Sequence, residues 1–172
     1  MFRTFKIPGF TSIICLIVLL PFLGCKSEDP YEKYERQQRE LDDQYIQEYL
    51  TANKITNFTK TATGLYYLPQ QAGTGAKVQK GNTVKMHYIG KFLNGVKFES
   101  SYDTGIPLTF TVGASPSQVI RGWDEGTLLM SDQEKATLII PSHLGYGRYG
   151  SPSGSVPGGA VLIFDMTILE VK

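Results

Sequence analysis

Cysteine is all but missing from this chain. Among 172 residues there are two, Cys15 and Cys25, and both fall in the first 25. Beyond them the chain can form no disulfide, no thiolate metal site and no cysteine nucleophile. Histidine is nearly as scarce: His87 lies in a strand-like segment and His143 at a turn after Pro141, so both read as structural groups rather than as metal ligands. An excess of charge of one sign is also absent. The 17 basic and 16 acidic residues leave a formal +1 at pH 7, which gives nucleic acid no electrostatic footprint. Gly73-Thr74-Gly75 lacks the Gly-Lys-Ser/Thr sequel and the βαβ setting of a phosphate loop. No metal or cofactor is expected, and what remains for chemistry is a pocket of aromatic side chains.

What is present begins with a segment of distinct composition. Arg3 and Lys6 precede an apolar run from Ile13 to Leu23, which ends at Gly24-Cys25. A basic start followed by a short apolar run reads as a secretory signal over residues 1–25. The run is short of the roughly 20 residues that span a bilayer. A Cys directly after Leu23-Gly24 resembles the lipobox of bacterial lipoproteins, in which that Cys is acylated and becomes the mature N-terminus; an uncleaved N-terminal anchor is the other reading. Either one places the rest of the chain in the cell envelope, held at a membrane, with inner and outer leaflets both open. Residues 26–62 form a tether and a helix. Lys26-Ser27-Glu28-Asp29-Pro30 is polar, and Tyr31 to Leu50 carries good helix formers with no Gly or Pro. Tyr34, Leu41, Tyr45 and Tyr49 fall near one face, interrupted by Gln38 and Glu48, so a solvated stalk helix on a monomer is expected, with a helical partner seam as the alternative.

From about residue 63 the pattern turns to strand. Leu65–Leu68, Thr83–Gly90, Val96–Phe98, Leu108–Val112, Ala136–Ile140 and Val161–Leu169 are rich in β-branched and aromatic residues, and Asn94-Gly95 is a hairpin signal. No helix of 10 to 15 residues separates these runs, so the sheet is expected to be antiparallel and the fold α+β. One short helix fits between the glycines of Val119-Ile120-Arg121-Gly122-Trp123-Asp124-Glu125-Gly126, with the only tryptophan turned inward. Gly145 to Gly159 is a long loop of turn formers, and such length argues for function.

Four blocks then carry a resemblance. His87-Tyr88-Ile89-Gly90 with Gly95-Val96-Lys97-Phe98-Glu99-Ser100-Ser101-Tyr102-Asp103, the Trp123 segment, Leu144-Gly145-Tyr146-Gly147, and Leu162-Ile163-Phe164-Asp165 stand in the order and at the intervals of the FKBP-type peptidyl-prolyl isomerases. The likeness runs from about Gly64 to Lys172 and assigns residues 63–172 to such a domain. It implies a curved antiparallel sheet of five to six strands wrapped around the helix at Arg121 to Leu129, and an enzyme that turns X-Pro bonds in proline-containing polypeptides. By the same resemblance Tyr88, Phe98, Glu99, Ile120, Trp123, Tyr146 and Phe164 form the catalytic pocket. Val119, Leu108, Ser155 and Val156 would complete the substrate surface, the last two from the flap. Proline would rest on Trp123, the Ile120 N–H would donate to a substrate carbonyl, and the Tyr146 hydroxyl would bond its neighbour.

Two positions depart from the family pattern. Glu99 stands where Asp is usual and Leu108 where an aromatic is common, and the flap carries Ser153-Gly154-Ser155. A binding module that grips proline segments without turning them over is the alternative these changes leave open.

Overall fold

The structure, a computed structural model, describes residues 29–172. The signal expected over 1–25 and the acylated Cys25 lie outside the described residues. Helix α1 spans Pro30–Ala52; Asp29 caps it by accepting from the Tyr31 N–H at 2.7 Å, and Pro30 occupies the first turn, where its missing N–H costs nothing. Seven strands follow: β1 (Thr59–Lys60), β2 (Tyr66–Gln71), β3 (Thr83–Phe92), β4 (Lys97–Ser100), β5 (Leu108–Thr111), β6 (Lys135–Ile140) and β7 (Leu162–Val171). All pairings are antiparallel, in the order β1-β2-β6-β7-β3-β4, and β5 also pairs with β3. The strand beyond the expected six is the two-residue β1. Helix α2 spans Arg121–Thr127, and single 3-10 turns occupy Ser142–Leu144 and Gly147–Tyr149.

Residue parity divides the core in two. Side chains alternate across a strand, so Met86, Tyr88, Leu138, Ile140, Leu162, Phe164, Met166 and Ile168 all point to the front, where α2 lies. Ile139, Ile163, Tyr66 and Leu68 point to the back. Five consecutive residues of β6, Ala136–Ile140, are buried because both faces are covered, which is why the strand reads as a continuous apolar run.

Two glycines let α2 lie directly on β6. A Cβ on Gly122 would come within 2.5 Å of the Ile140 side chain, and one on Gly126 within 2.2 Å of Leu138. Spaced by four, they form the smooth side of the helix, and Trp123 is set beside it. Asp124 fastens the helix start to the preceding loop, accepting from the Gly113 N–H at 2.8 Å and the Ser117 hydroxyl at 3.0 Å.

Helix α1 is not a solvated stalk. It packs against the back of the sheet through Ile46 and Leu50, both almost fully buried, with Asp42 buried one turn earlier. Tyr34, Leu41 and Tyr45 of the expected stripe are exposed. The true inner stripe is Gln38, Asp42, Ile46 and Leu50, at intervals of four. Its first two members are polar, so an apolar period selected the wrong face.

Candidate functional site

In front of the sheet a pocket of about 200 Å³ is lined by Tyr88, Glu99, Leu108, Gln118, Val119, Ile120, Trp123, Tyr146 and Phe164. It is smaller than the roughly 300–1,000 Å³ that holds a drug-sized ligand, and suits one ring with its flanking amides. Strands β3, β4, β5 and β7, helix α2 with the loop before it, and the Tyr146 loop all contribute to it. β3 and β7 hold Tyr88 and Phe164 in nearly adjacent pairs, since Gly90 lies opposite Phe164 and Tyr88 opposite Met166. Gly90 is small for a reason: a Cβ there would meet the rings of Phe98 and Phe164 at 2.7 and 2.8 Å. Helix α2 supplies the floor.

The floor is held by ring edges. Trp123 packs edge-on against Tyr88, with centroids 4.8 Å apart, and against Phe164 at 5.0 Å, while Phe110 supports it at 6.0 Å. Edge-to-face contacts of this kind add roughly 0.5–1.5 kcal/mol each beyond burial. The Trp123 Nε1 is buried without a hydrogen-bond partner among the described residues, so the floor of the pocket holds one unsatisfied donor. Ile120 is the N-cap of α2; its carbonyl accepts from the Trp123 and Asp124 N–H groups, whereas its own N–H precedes the intrahelical ladder.

Glu99 reaches its neighbour despite its length, because the Tyr88 hydroxyl donates to Glu99 Oε1 at 2.7 Å. Burial, and after it the Glu99 carboxylate, pushes the Tyr88 phenol well above the usual tyrosine value. The Tyr146 phenol is raised by the same two causes in the same order. Both hydroxyls therefore keep their protons through neutral pH and serve as donors.

Of the residues named from sequence, Tyr88, Glu99, Leu108, Val119, Ile120, Trp123, Tyr146 and Phe164 come together in this pocket. Three do not line it. Phe98 packs edge-on against Phe164, with centroids 5.6 Å apart, and against Phe92 at 4.9 Å, so it supports a wall from beside the pocket. Val156 is a core residue, because its backbone closes the flap by exchanging bonds with Ser151 and its side chain turns inward. Ser155 is exposed, its hydroxyl 2.9 Å from that of Ser153. Gln118, missed from sequence, lines the rim while its Oε1 accepts from the Thr111 N–H at 2.8 Å. A polar residue in a loop carries no periodic signal; its place next to Val119 was the only clue.

A larger cleft of about 530 Å³ lies between α1 and the domain, lined by Arg39, Asp43, Lys60, Arg121 and His143 among others. It has no wall of rings. Burial lowers the His143 pKa, and its Nε2 lies 2.9 Å from the Thr63 carbonyl. Among the described residues no group of three or more His, Cys, Asp or Glu stands close enough to hold a metal ion.

The family model of the FKBP-type peptidyl-prolyl cis-trans isomerases matches residues 74–169. The chain is 43% identical over 127 residues to the FKBP-type peptidyl-prolyl cis-trans isomerase FkpA of Aeromonas hydrophila, covering 73% of this chain and 45% of that protein. It is 44% identical over 121 residues to the peptidyl-prolyl cis-trans isomerase FKBP15-1 of Arabidopsis thaliana, covering 70% of this chain and 76% of that one. The crystal structure of FkpA from Escherichia coli superposes with a TM-score of 0.67 at 31% identity, over 83% of this chain and 64% of that one. That of AtFKBP13 superposes with a TM-score of 0.62 at 36% identity, over 68% of this chain and all of that one.

Proposed function

From the premise that the chain belongs to the FKBP-type peptidyl-prolyl cis-trans isomerases, we propose that it turns X-Pro bonds of exported polypeptides by desolvating them in the ring-lined pocket. The observation that carries this is the pocket itself, with a Trp123 floor held by two ring edges and two protonated phenols at its walls.

Amide resonance sets a rotation barrier of about 18–20 kcal/mol, and uncatalysed X-Pro rotation takes tens to hundreds of seconds. The planar amide is the more polar state, since twisting removes the charge separation that resonance creates. An apolar site therefore disfavours the planar ground state more than the twisted one, and only such differential binding accelerates the step. Discrimination of roughly 4 kcal/mol gives about a thousandfold. Trp123 seats the proline ring, the Ile120 N–H donates to the carbonyl of the turning bond, and the Tyr146 hydroxyl donates to a neighbouring one. Glu99 fixes the Tyr88 ring through its hydroxyl. No bond is made or broken and no proton moves.

The finer proposal is one of place. The lipobox-like Leu23-Gly24-Cys25 after a basic, apolar leader supports a lipid anchor at Cys25, which would hold the domain in the cell envelope beside newly exported chains. Rotation of a proline tetrapeptide followed without a coupled protease tests the activity. Acceleration that Trp123→Ala abolishes is the expected result. Binding of the peptide with no acceleration would replace this reading by the non-catalytic one. Replacing Cys25 with Ser should release the protein from membranes, and persistence there after salt washing would sink the anchor.

A further inference from the structure

Helix α1 touches more than the back of the sheet. Its N-terminal half meets the segment that leads into, through and out of the flap. Asp42, fully buried, accepts through Oδ2 from both the backbone N–H of Ser142 at 2.8 Å and its hydroxyl at 2.7 Å. Its Oδ1 accepts from Gln38 Nε2 at 2.8 Å, and that amide also reaches the Gly159 carbonyl at 3.4 Å. One helix face thus holds the entrance of the flap at Ser142 and its exit at Gly159. Between them the Arg148 guanidinium lies 5.5 Å from the ring centres of both Tyr31 and Tyr34, and 4.9 Å from that of Tyr149. The base is closed by the Gly159 N–H donating to the Gly147 carbonyl at 2.9 Å. Tyr146, a wall of the pocket, lies inside this fastened stretch.

A helix that only covered the sheet would need no carboxylate here. Burying a charge is costly unless several donors meet it, and an apolar side chain at position 42 would continue the stripe of Ile46 and Leu50. The carboxylate is explained by what it holds. We propose that α1 is a strut for the flap, with Asp42 the positioning residue that sets Tyr146 through Ser142 and with Arg148 as its second fastening. The kinetic part of this proposal rests on the isomerase reading; the structural part does not.

The test uses the full-length chain and its Asp42→Asn, Asp42→Leu and Arg148→Met variants, with three readouts: amide hydrogen exchange, the unfolding midpoint, and KM and kcat on a short proline peptide. Asn keeps one acceptor, so it can accept from Ser142 or from Gln38 but not from both. Asp42→Asn and Arg148→Met should speed exchange of the flap amides, residues 145–159, by about tenfold or more, with β3 and β7 unchanged. KM should rise by about threefold or more while kcat stays within about twofold. Asp42→Leu separates positioning from packing. It should recover the unfolding midpoint of the parent and yet leave the flap amides fast and KM high. Unchanged flap exchange in both Asp42→Asn and Arg148→Met would overturn the proposal, as would Asp42→Leu restoring flap protection and KM together with stability. A parent chain that accelerates nothing would sink the isomerase reading alone, since flap exchange still decides the strut.

Discussion

The two faces of one sheet are filled by opposite means. In front, large rings meet edge to face around Trp123, and the space they leave is the pocket. Behind, a helix brings two aliphatic side chains, Ile46 and Leu50, and fixes its position with a buried carboxylate. The front leaves a small pocket walled by rings, whereas the larger cleft beside α1 is lined mostly by polar and charged side chains such as Arg39, Asp43, Lys60 and Arg121. Apolar burial stabilises both, but in the front several rings also face one small cavity that a ligand can enter.

Removing the floor of the front should have the largest effect. Trp123→Ala leaves a cavity under the sheet and is expected to cost about 3–5 kcal/mol of stability. The same change should lower the specificity constant by about a hundredfold or more, equivalent to roughly 2.7 kcal/mol of transition-state binding. Denaturant unfolding and peptide kinetics read the two losses separately. Leu50→Ala strikes the back in the last turns of α1, away from the flap contacts. It should cost about 2–5 kcal/mol, yet leave the specificity constant of the folded protein within about twofold. An equal loss of activity from both variants, measured where both are folded, would erase the distinction between the faces.

Much of the front was legible in the sequence, through residues of distinctive type, although Gln118 carried no such signal. Trp123 between Gly122 and Gly126, Tyr146 between glycines and Phe164 in an apolar strand stand in the series that carries the resemblance to the FKBP-type isomerases, and that resemblance implies the fold. The flap was less so. Ser155 and Val156 sit in a stretch of turn formers where nothing in the sequence says which side chain turns inward, and Val156 turns to the core. Phe98 packs edge-on against Phe164 next to the pocket, and a ring in the lining and a ring beside it share the same strand pattern. The back was hidden for a different reason. Gln38 and Asp42 break the apolar period of α1, and their burial makes sense only once Ser142 and Gly159, 100 and 121 residues from their partners, are seen beside them. Local periodicity reports apolar contacts and is silent about a polar residue whose partner is distant.

Between front and flap, Tyr146→Phe removes a hydroxyl and nothing else. If that hydroxyl orients substrate, its loss costs roughly 0.5–1.5 kcal/mol, a few-fold to about tenfold in the specificity constant. The unfolding midpoint should barely move. An unchanged rate would show that the flap contributes only a covering surface, and the active face would then consist of the sheet and α2 alone.

The smallest effect is expected from Glu99→Gln, and its size is what separates desolvation from acid–base chemistry. The amide oxygen of Gln can accept the same bond from the Tyr88 hydroxyl that the carboxylate accepts now. The specificity constant should therefore stay within about fivefold, and the profile should be flat from about pH 7 to 9, since no group is asked to give or take a proton. The alkaline limb carries a second, signed expectation. Burial first and Glu99 second hold the Tyr88 and Tyr146 phenols above their ordinary value, about 10 in unfolded chains. Folded values above the unfolded ones mean that the stability these phenols contribute is whole below about pH 10 and is lost as pH rises through the folded values. Removing the Glu99 charge removes one of the causes and leaves burial, so in Glu99→Gln the alkaline loss of stability should still begin at about pH 10 but be smaller and complete at a lower pH. Spectrophotometric titration of the phenols beside the rate profile measures both. A hundredfold loss at neutral pH, or a bell-shaped profile that vanishes with the carboxylate, would mean that Glu99 moves a proton and that the rings around Trp123 are its setting rather than the source of the acceleration.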